Sequence, residues 1–198
     1  GNSSNLHIRR STDRGANWSA ADLRQVTNAI NPDLAINNLG ELAFSYQRLV
    51  SGNWQTIVER TTNDFATTAT TTLNTFPDGT PASTFLPYLG DYACLTAMPS
   101  GKDFCGVFSA SNNPNPANFP AVQPLWQRNV NTATNQLRNL TNTSNVNVSI
   151  DPFFYRISPL NIDQDFYVRD WTNSSSSHDQ GEEPSDINYW FQFNSDVW

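Results

Sequence analysis

The chain has 198 residues, 37% of them hydrophobic, which suffices for the core of one domain and excludes disorder along the whole length. No apolar run approaches the roughly 20 residues of a membrane-spanning helix, and the formal net charge of −7 disfavours nucleic acid as a partner. Charged residues make up only 15%, because Asn, Ser and Thr supply most of the polarity. This balance is typical of a secreted or cell-surface β-protein.

Short apolar runs that alternate with period two, separated by turn residues about every ten positions, predict an all-β chain. The longest helical candidate, Ala20–Val26, is short. In chain order, the expected strands are Leu6–Arg10, Leu34–Ile36, Glu41–Tyr46, Trp54–Val58, Tyr92–Met98, Phe104–Phe108, Phe153–Ile157 and Tyr189–Phe193. The strand–turn–strand unit that begins at Leu34 recurs at Tyr92, about 55 residues later, which indicates a structural repeat.

Three stretches are predicted to be loops, because they are rich in Asn, Thr, Pro or acidic residues and have few apolar anchors. They are residues 112–120, 129–147 and 172–185. None of them marks a clear domain boundary, so residues 1–198 are expected to form a single region. The chain opens almost at a strand and stops at a Trp, and we therefore expect it to be a fragment of a longer chain.

The most specific motif is residues 11–18, Ser-Thr-Asp-Arg-Gly-Ala-Asn-Trp, which follows the strand at Leu6–Arg10. These residue types suit a tight hairpin: Asp13 accepts hydrogen bonds from backbone N–H groups, and Gly15 supplies a positive φ. Trp18 is expected to fold back over the turn as a buried apolar plug. A degraded second copy, Thr61–Ala66, lies about 50 residues later, the spacing of a propeller blade, but lacks the Gly and the Trp.

The motif resembles the Asp-box, or BNR repeat, of sialidases and related β-propellers. Residues 88–92, 165–171 and 195–198 are similar to stretches of bacterial Asp-box proteins, so the resemblance covers most of the chain. The resemblance implies that the chain forms part of a sialidase-like β-propeller and is long enough for about four blades. It also implies that the Asp-box residues are structural and remote from any active site; these are Ser11, Asp13, Gly15 and Trp18.

Sialidases use an arginine triad, a Tyr–Glu pair and an Asp, and the resemblance therefore implies four catalytic candidates: Tyr155, Arg156, Asp91 and Asp170. Residues 155–158 match three letters of the family signature Tyr/Phe-Arg-Ile-Pro, but they lie after the Asp-box and lack the Pro. The alternative for Arg156 is a strand position paired with an acid, and for the two aspartates a turn cap or an ion pair. We expect no complete catalytic site in this chain and no hydrolysis of sialosides.

Acidic residues between 163 and 186 supply oxygen ligands suited to calcium, and Asp163 and Asp165 are the candidates. The segment lacks a full calcium-loop motif, so a solvated acidic loop is the alternative. Two histidines and two cysteines without paired spacing disfavour zinc. We expect no cofactor, with calcium as the alternative.

The two cysteines, Cys94 and Cys105, lie on either side of a predicted turn at residues 99–102. This spacing places them on adjacent strands, so we expect a disulfide between them if the compartment is oxidising. Two free thiols are the alternative.

Together these features predict an extracellular, non-catalytic Asp-box β-propeller module that binds a glycan or a protein surface. The remainder of its own propeller is a further expected partner, whereas nucleic acid and membrane insertion are not expected. The alternative is part of a sialidase-like exo-glycosidase whose other catalytic residues lie outside this chain.

Overall fold

The computed structural model describes residues 4–83, 86–91, 93–99, 101–120, 124–125, 129–158 and 189–192. Within these residues the chain is all-β and contains no α-helix, which confirms the predicted class. No helix in this part of the chain is long and apolar enough to cross a membrane. The strands are β1 (Ser4–Ile8), β2 (Arg24–Ile36), β3 (Leu42–Val50), β4 (Asn53–Thr61), β5 (Ala69–Pro77), β6 (Cys94–Ala97), β7 (Phe104–Ser111), β8 (Pro124–Leu125), β9 (Val130–Asn131), β10 (Gln136–Leu137), β11 (Ile150–Ile157) and β12 (Tyr189–Gln192).

The strands form two five-stranded sheets and one small hairpin. The first sheet has the order β1-β2-β3-β4-β5, in which every neighbouring pair is antiparallel and consecutive in sequence. The second has the order β6-β7-β11-β12-β8, with one parallel pair between β12 and β8. The hairpin of β9 and β10 belongs to the long connection between β7 and β11, part of which was predicted to be a loop.

The two halves of the long strand β2 belong to different layers of the structure. Its first half pairs with β1, from Arg24 to Ala29, whereas its second half pairs with β3 as far as Ile36. Left-handed backbone at Asn28 and Asn31 (φ 54° and 52°) and irregular register separate the halves. Hence β1 and the first half of β2 fold over the rest of the first sheet. We call them layer 1, the rest of the first sheet layer 2, and the second sheet layer 3.

Two apolar cores hold the layers together. Because side chains alternate between the faces of a strand, Phe44 and Tyr46 of β3 point toward layer 1, where Leu6, Ile8 and Val26 pack against them. The opposite face of layer 2 packs against layer 3. The fully buried members of this larger core include Ala43, Val58, Leu73, Phe76, Phe104, Phe108, Phe153 and Tyr155.

The predicted repeat is visible in two matching hairpin turns, β2–β3 and β6–β7. In the first, Asn37 N donates to Glu41 O at 3.0 Å; in the second, Met98 N donates to Asp103 O at 2.7 Å. Each turn has a glycine near φ 78°, and the two turns contact each other, since Asn38 N donates to Gly101 O at 2.6 Å. A Cβ on Gly101 would lie 1.8 Å from Asn38 Nδ2, so the contact requires glycine.

The predicted disulfide between Cys94 and Cys105 is wrong, because both cysteines are free. The turn closed by Met98 and Asp103 sets a register in which Cys94 lies opposite Val107 and Cys105 opposite Thr96. The cysteines are therefore diagonal neighbours rather than direct partners. Diagonal Cα atoms are about 7–8 Å apart, beyond the usual reach of a disulfide. Burial raises the pKa of the Cys105 thiol.

Candidate functional site

The turn of residues 11–17, which follows β1, is built on hydrogen bonds to two side chains, Ser11 and Asp13. Ser11 Oγ accepts from Gly15 N at 2.7 Å and donates to Asp13 Oδ1 at 2.8 Å. Asp13 Oδ1 also accepts from Asn17 N at 2.8 Å, and Oδ2 accepts from Asn17 Nδ2 at 2.6 Å. These bonds, with Asn17 first and Ser11 after it, lower the pKa of Asp13 to about 2. The prediction that Asp13 accepts backbone hydrogen bonds within the turn is confirmed.

The degraded copy after β4 forms the same turn. Thr61 Oγ1 accepts from Phe65 N at 3.2 Å and donates to Asn63 Oδ1 at 2.9 Å. Asn63 Oδ1 accepts from Thr67 N at 3.0 Å, and Asn63 Nδ2 donates to Thr67 Oγ1 at 2.9 Å. Thr61 and Asn63 thus replace the first turn's Ser and Asp, while Phe65, at φ 64°, occupies the glycine position.

The prediction that Trp18 is buried is wrong, because 61% of the residue is exposed. Its ring does lie over the turn, 3.9 Å from where a Cβ on Gly15 would be. A turn of seven residues covers only one side of an indole, and full burial needs a second layer of structure. No described residue supplies that layer above Trp18.

An arginine recurs at the end of each strand that precedes such a turn. Arg10 and Arg60 stand directly before the hydroxyl residue of their turns, and each reaches toward the next unit: Arg10 pairs with Asp64, and Arg60 donates to Ser158 O. Arg156 holds the same register position, since it lies opposite Cys105 as Arg60 lies opposite Ala43. Its Nε donates to Asp103 Oδ2 at 2.8 Å, so the acid-paired alternative for Arg156 is confirmed.

The described catalytic candidates do not converge on one site. Tyr155 is 1% exposed and lies in the core between layers 2 and 3, and burial raises its pKa. Its neighbour Arg156 projects from the opposite face of β11 because side chains alternate along a strand. Asp91 is exposed and precedes β6, at the end of layer 3 away from Arg156. Asp163, Asp165 and Asp170 lie outside the described residues.

A buried Tyr–Glu–Arg cluster, which sequence reasoning missed, joins layers 1 and 2. Tyr46 Oη donates to Glu59 Oε1 at 2.8 Å, and Arg24 donates to both Glu59 oxygens at 2.7 and 2.5 Å. Burial alone would raise the pKa of Glu59, but the hydrogen bonds from Arg24 and Tyr46 lower it overall. Burial and the Glu59 hydrogen bond raise the pKa of Tyr46. Tyr46 is 1% exposed and Glu59 3%, so the pair fastens the layers and offers no accessible nucleophile.

A cleft of about 470 Å³ opens where layer 1 meets layer 2. Its apolar wall consists of Leu6, Ile8, Trp18, Pro32, Leu34 and Phe44. Beside the cleft, Leu34 is 45% exposed and Ile36, on the same face of β2, is 61% exposed. The polar residues that line the cleft are His7, Arg9 and Asp33. His7 Nδ1 and Arg9 Nε lie 2.7 Å from the two carboxylate oxygens of Asp22. The cleft therefore combines an exposed apolar wall with polar side chains that already have partners in the fold.

Among the residues that the structure describes, no group of three or more His, Cys, Asp or Glu side chains is placed to hold a metal ion. No known family model matches the chain, and no curated protein or solved structure is significantly similar to it.

Proposed function

We propose that the chain is a non-catalytic Asp-box β-propeller module, secreted or on the cell surface, that binds a partner protein at the cleft beside Trp18. The observation that carries the proposal is the combination of repeated structural turns with one open, apolar layer surface.

The direction in which the layers stack supports the propeller. When Glu41 and Asp103 are matched as the residues that close the two hairpin turns, Tyr46 corresponds to Phe108. Tyr46 faces layer 1, whereas Phe108 faces layer 2. Each layer therefore turns the same side toward the layer before it. Such front-to-back stacking is what a ring of blades requires, whereas a two-sheet sandwich packs the two inner faces against each other.

The positions of the catalytic candidates support a non-catalytic role. A carboxylate clamp needs arginine forks that converge on one point. Here Arg10, Arg60 and Arg156 are spread over successive layers, each held by a contact within the fold. The buried Tyr46–Glu59 pair lies between two layers, where a substrate has no access.

The cleft favours a protein over a glycan as the partner. Sugar-binding sites combine an aromatic face with several polar groups that bond to hydroxyls. Six of the nine residues that line this cleft are apolar, and its polar members, His7, Arg9 and Asp33, already bond to Asp22 or to backbone N–H groups of the fold. Contiguous exposed apolar residues with a charged rim are typical of protein interaction surfaces.

Two measurements on the chain test this proposal. We expect no turnover of a fluorogenic sialoside. On a glycan array, we expect no binding that depends on Trp18, so Trp18→Ala should give the same result as the wild type. Sialoside turnover abolished by Arg156→Ala would overturn the non-catalytic assignment in favour of the exo-glycosidase. Glycan binding lost in Trp18→Ala but kept in the matched surface variant Leu86→Ala, a change at another exposed apolar residue, would make the partner a glycan.

A further inference from the structure

The outer edge of β1 presents backbone groups that pair with no described residue. Ile8 O accepts from Leu23 N at 2.8 Å, so Ile8 directs its backbone groups toward β2. In an antiparallel strand these groups alternate in direction, and those of His7 and Arg9 therefore point to the opposite edge. Within the described part of the chain, β1 pairs with β2 alone.

In the other two layers, the strand edges that correspond to the outer edge of β1 are paired with further strands. Strands β4 and β11 match β1, because the recurring arginine lies at the C-terminal end of each: Arg60 and Arg156 are next to last in their strands, and Arg10 follows β1 by two residues. Both are paired on the corresponding edge by an antiparallel strand, β3 for β4 and β7 for β11. In layer 3, β6 lies beyond β7 and stacks over the second half of β2, where Asp33 Oδ2 accepts from Leu95 N at 2.7 Å. Layers 2 and 3 thus each possess a hairpin at the position that no described residue fills in layer 1.

We infer that the free edge of β1 and the cleft together receive a β-hairpin from a partner polypeptide. One strand pairs antiparallel with β1, and the second covers Leu34 and Ile36. This names the partner chemistry of the site in the proposed function and rests on that proposal. The new interface continues an existing one, because Leu6, Ile8 and Phe44 belong both to the core between layers 1 and 2 and to the wall of the cleft.

The repeat also specifies the side chains of the partner strand. Its counterpart β3 turns Ala43, Ser45 and Gln47 toward layer 3, opposite Arg60, Val58 and Thr56 of β4. The partner strand would likewise turn short or polar side chains toward layer 2, opposite the register positions of Arg10, Ile8 and Leu6. Backbone hydrogen bonds would supply the pairing, and the short side chains would allow close stacking on Phe44.

The chain's own sequence supplies a probe for this site. A fluorescein-labelled peptide of residues 33–50 contains the end of β2, the turn and the whole of β3. We expect it to bind the intact chain, measured by fluorescence anisotropy, and to protect the amides of His7 and Arg9 from hydrogen exchange. His7→Pro removes one outward N–H and should weaken binding about tenfold. His7→Ala keeps that N–H and loses the same Asp22 contact, so it is the matched control and should stay within about threefold of wild type.

A second variant keeps the test valid if His7→Pro does not fold, as judged by its thermal melt. Leu34→Glu changes an exposed side chain and should weaken peptide binding by at least about tenfold. No peptide binding, or equal binding by His7→Pro and wild type, would overturn the inference. So would a concentration-dependent dimer abolished by Leu34→Glu, because a second copy would then be the occupant. These outcomes leave the sialoside test untouched, so failure of the inference is distinct from failure of the non-catalytic assignment.

Discussion

The turns at residues 11–17 and 61–67 have the same hydrogen-bond framework although they share few residues. Ser11 and Asp13 perform in the first turn what Thr61 and Asn63 perform in the second. In both turns, the hydroxyl oxygen of the first residue accepts a hydrogen bond from the backbone N–H of the fifth residue. The side-chain oxygen of the third residue accepts one from the backbone N–H of the seventh. The turn therefore depends on the placement of two oxygen-bearing side chains and on left-handed backbone between them.

The turns differ in what surrounds them. Phe65 occupies the position of Gly15 at an unfavourable φ of 64°, yet it is only 9% exposed and meets Phe44 edge-on with the ring centroids 6.2 Å apart. Trp18 of the first turn is 61% exposed. Layer 1 lies over the second turn, whereas no described layer covers the first. Packing thus adds to the polar network in the second turn, whereas the first turn depends mainly on its polar network.

The largest expected difference comes from removing the aromatic ring of each turn. Phe65→Ala leaves a cavity between layers 1 and 2, and should lower the free energy of unfolding by about 3 kcal/mol. Trp18→Ala, the matched variant, removes a mostly exposed ring and should cost less than about 1 kcal/mol. Urea unfolding followed by circular dichroism measures both. Equal losses would contradict the assignment of packing to the second turn alone.

Removing the hydroxyl group of each turn should give a smaller contrast. Thr61 is 1% exposed and Phe65 is 9% exposed, so Thr61→Val leaves the buried N–H of Phe65 without its acceptor. We expect a loss of about 2 kcal/mol. In Ser11→Ala water can replace the lost acceptor, so the loss should stay below about 1 kcal/mol. The same unfolding experiment checks both, and a larger loss in Ser11→Ala would reverse the comparison.

The glycine position offers a third contrast. Gly15→Ala places a Cβ on backbone at φ 90°, and should cost about 1 kcal/mol because nothing buried compensates the strain. Ala16→Ser is the neighbouring control and should be neutral within about 0.5 kcal/mol. A neutral Gly15→Ala would show that the exposed turn relaxes to another backbone conformation.

The smallest effect is a pH dependence confined to the first turn. The folded pKa of Asp13 is about 2, lowered from 3.8, so its carboxylate stabilises the turn above pH 4. This contribution is lost as the pH falls from about 4 through 2, because protonation removes the charged acceptor. The protection factor of the Asn17 amide, which corrects its exchange rate for the intrinsic pH dependence, should therefore fall over that window. The amide of Thr67 is the internal control, since Asn63 does not titrate, and parallel changes at both amides would refute this attribution.

Sequence reasoning located both turns because hydrogen-bonding residue types at fixed spacing act locally. It identified the repeat of strand–turn–strand units for the same reason, since alternation and turn glycines are properties of short segments. It missed the cluster of Arg24, Tyr46 and Glu59, whose members are up to 35 residues apart. Nothing in the strand pattern distinguishes Glu59 from a solvent-exposed glutamate, so the local sequence does not predict that cluster.

The two errors have different causes. The turn predicted at residues 99–102 is present, but the register it sets places Cys94 opposite Val107, two positions from Cys105, so the disulfide prediction failed on local geometry. The burial of Trp18 was inferred from the motif, although burial depends on what lies above the turn. The exposure of Trp18 is therefore set by parts of the chain that are distant in sequence.

The sequence by itself determined the all-β class, the turns and the polar network of residues 11–17, because each follows from interactions within about eight residues of chain. Only the tertiary structure decided which faces are covered. The bend in β2 folds layer 1 over Phe65 and leaves Trp18, Leu34 and Ile36 exposed. The hydrophobic effect is non-directional and proportional to the apolar area removed from water. The type of a residue therefore does not determine whether it is buried; the stacking of the layers does.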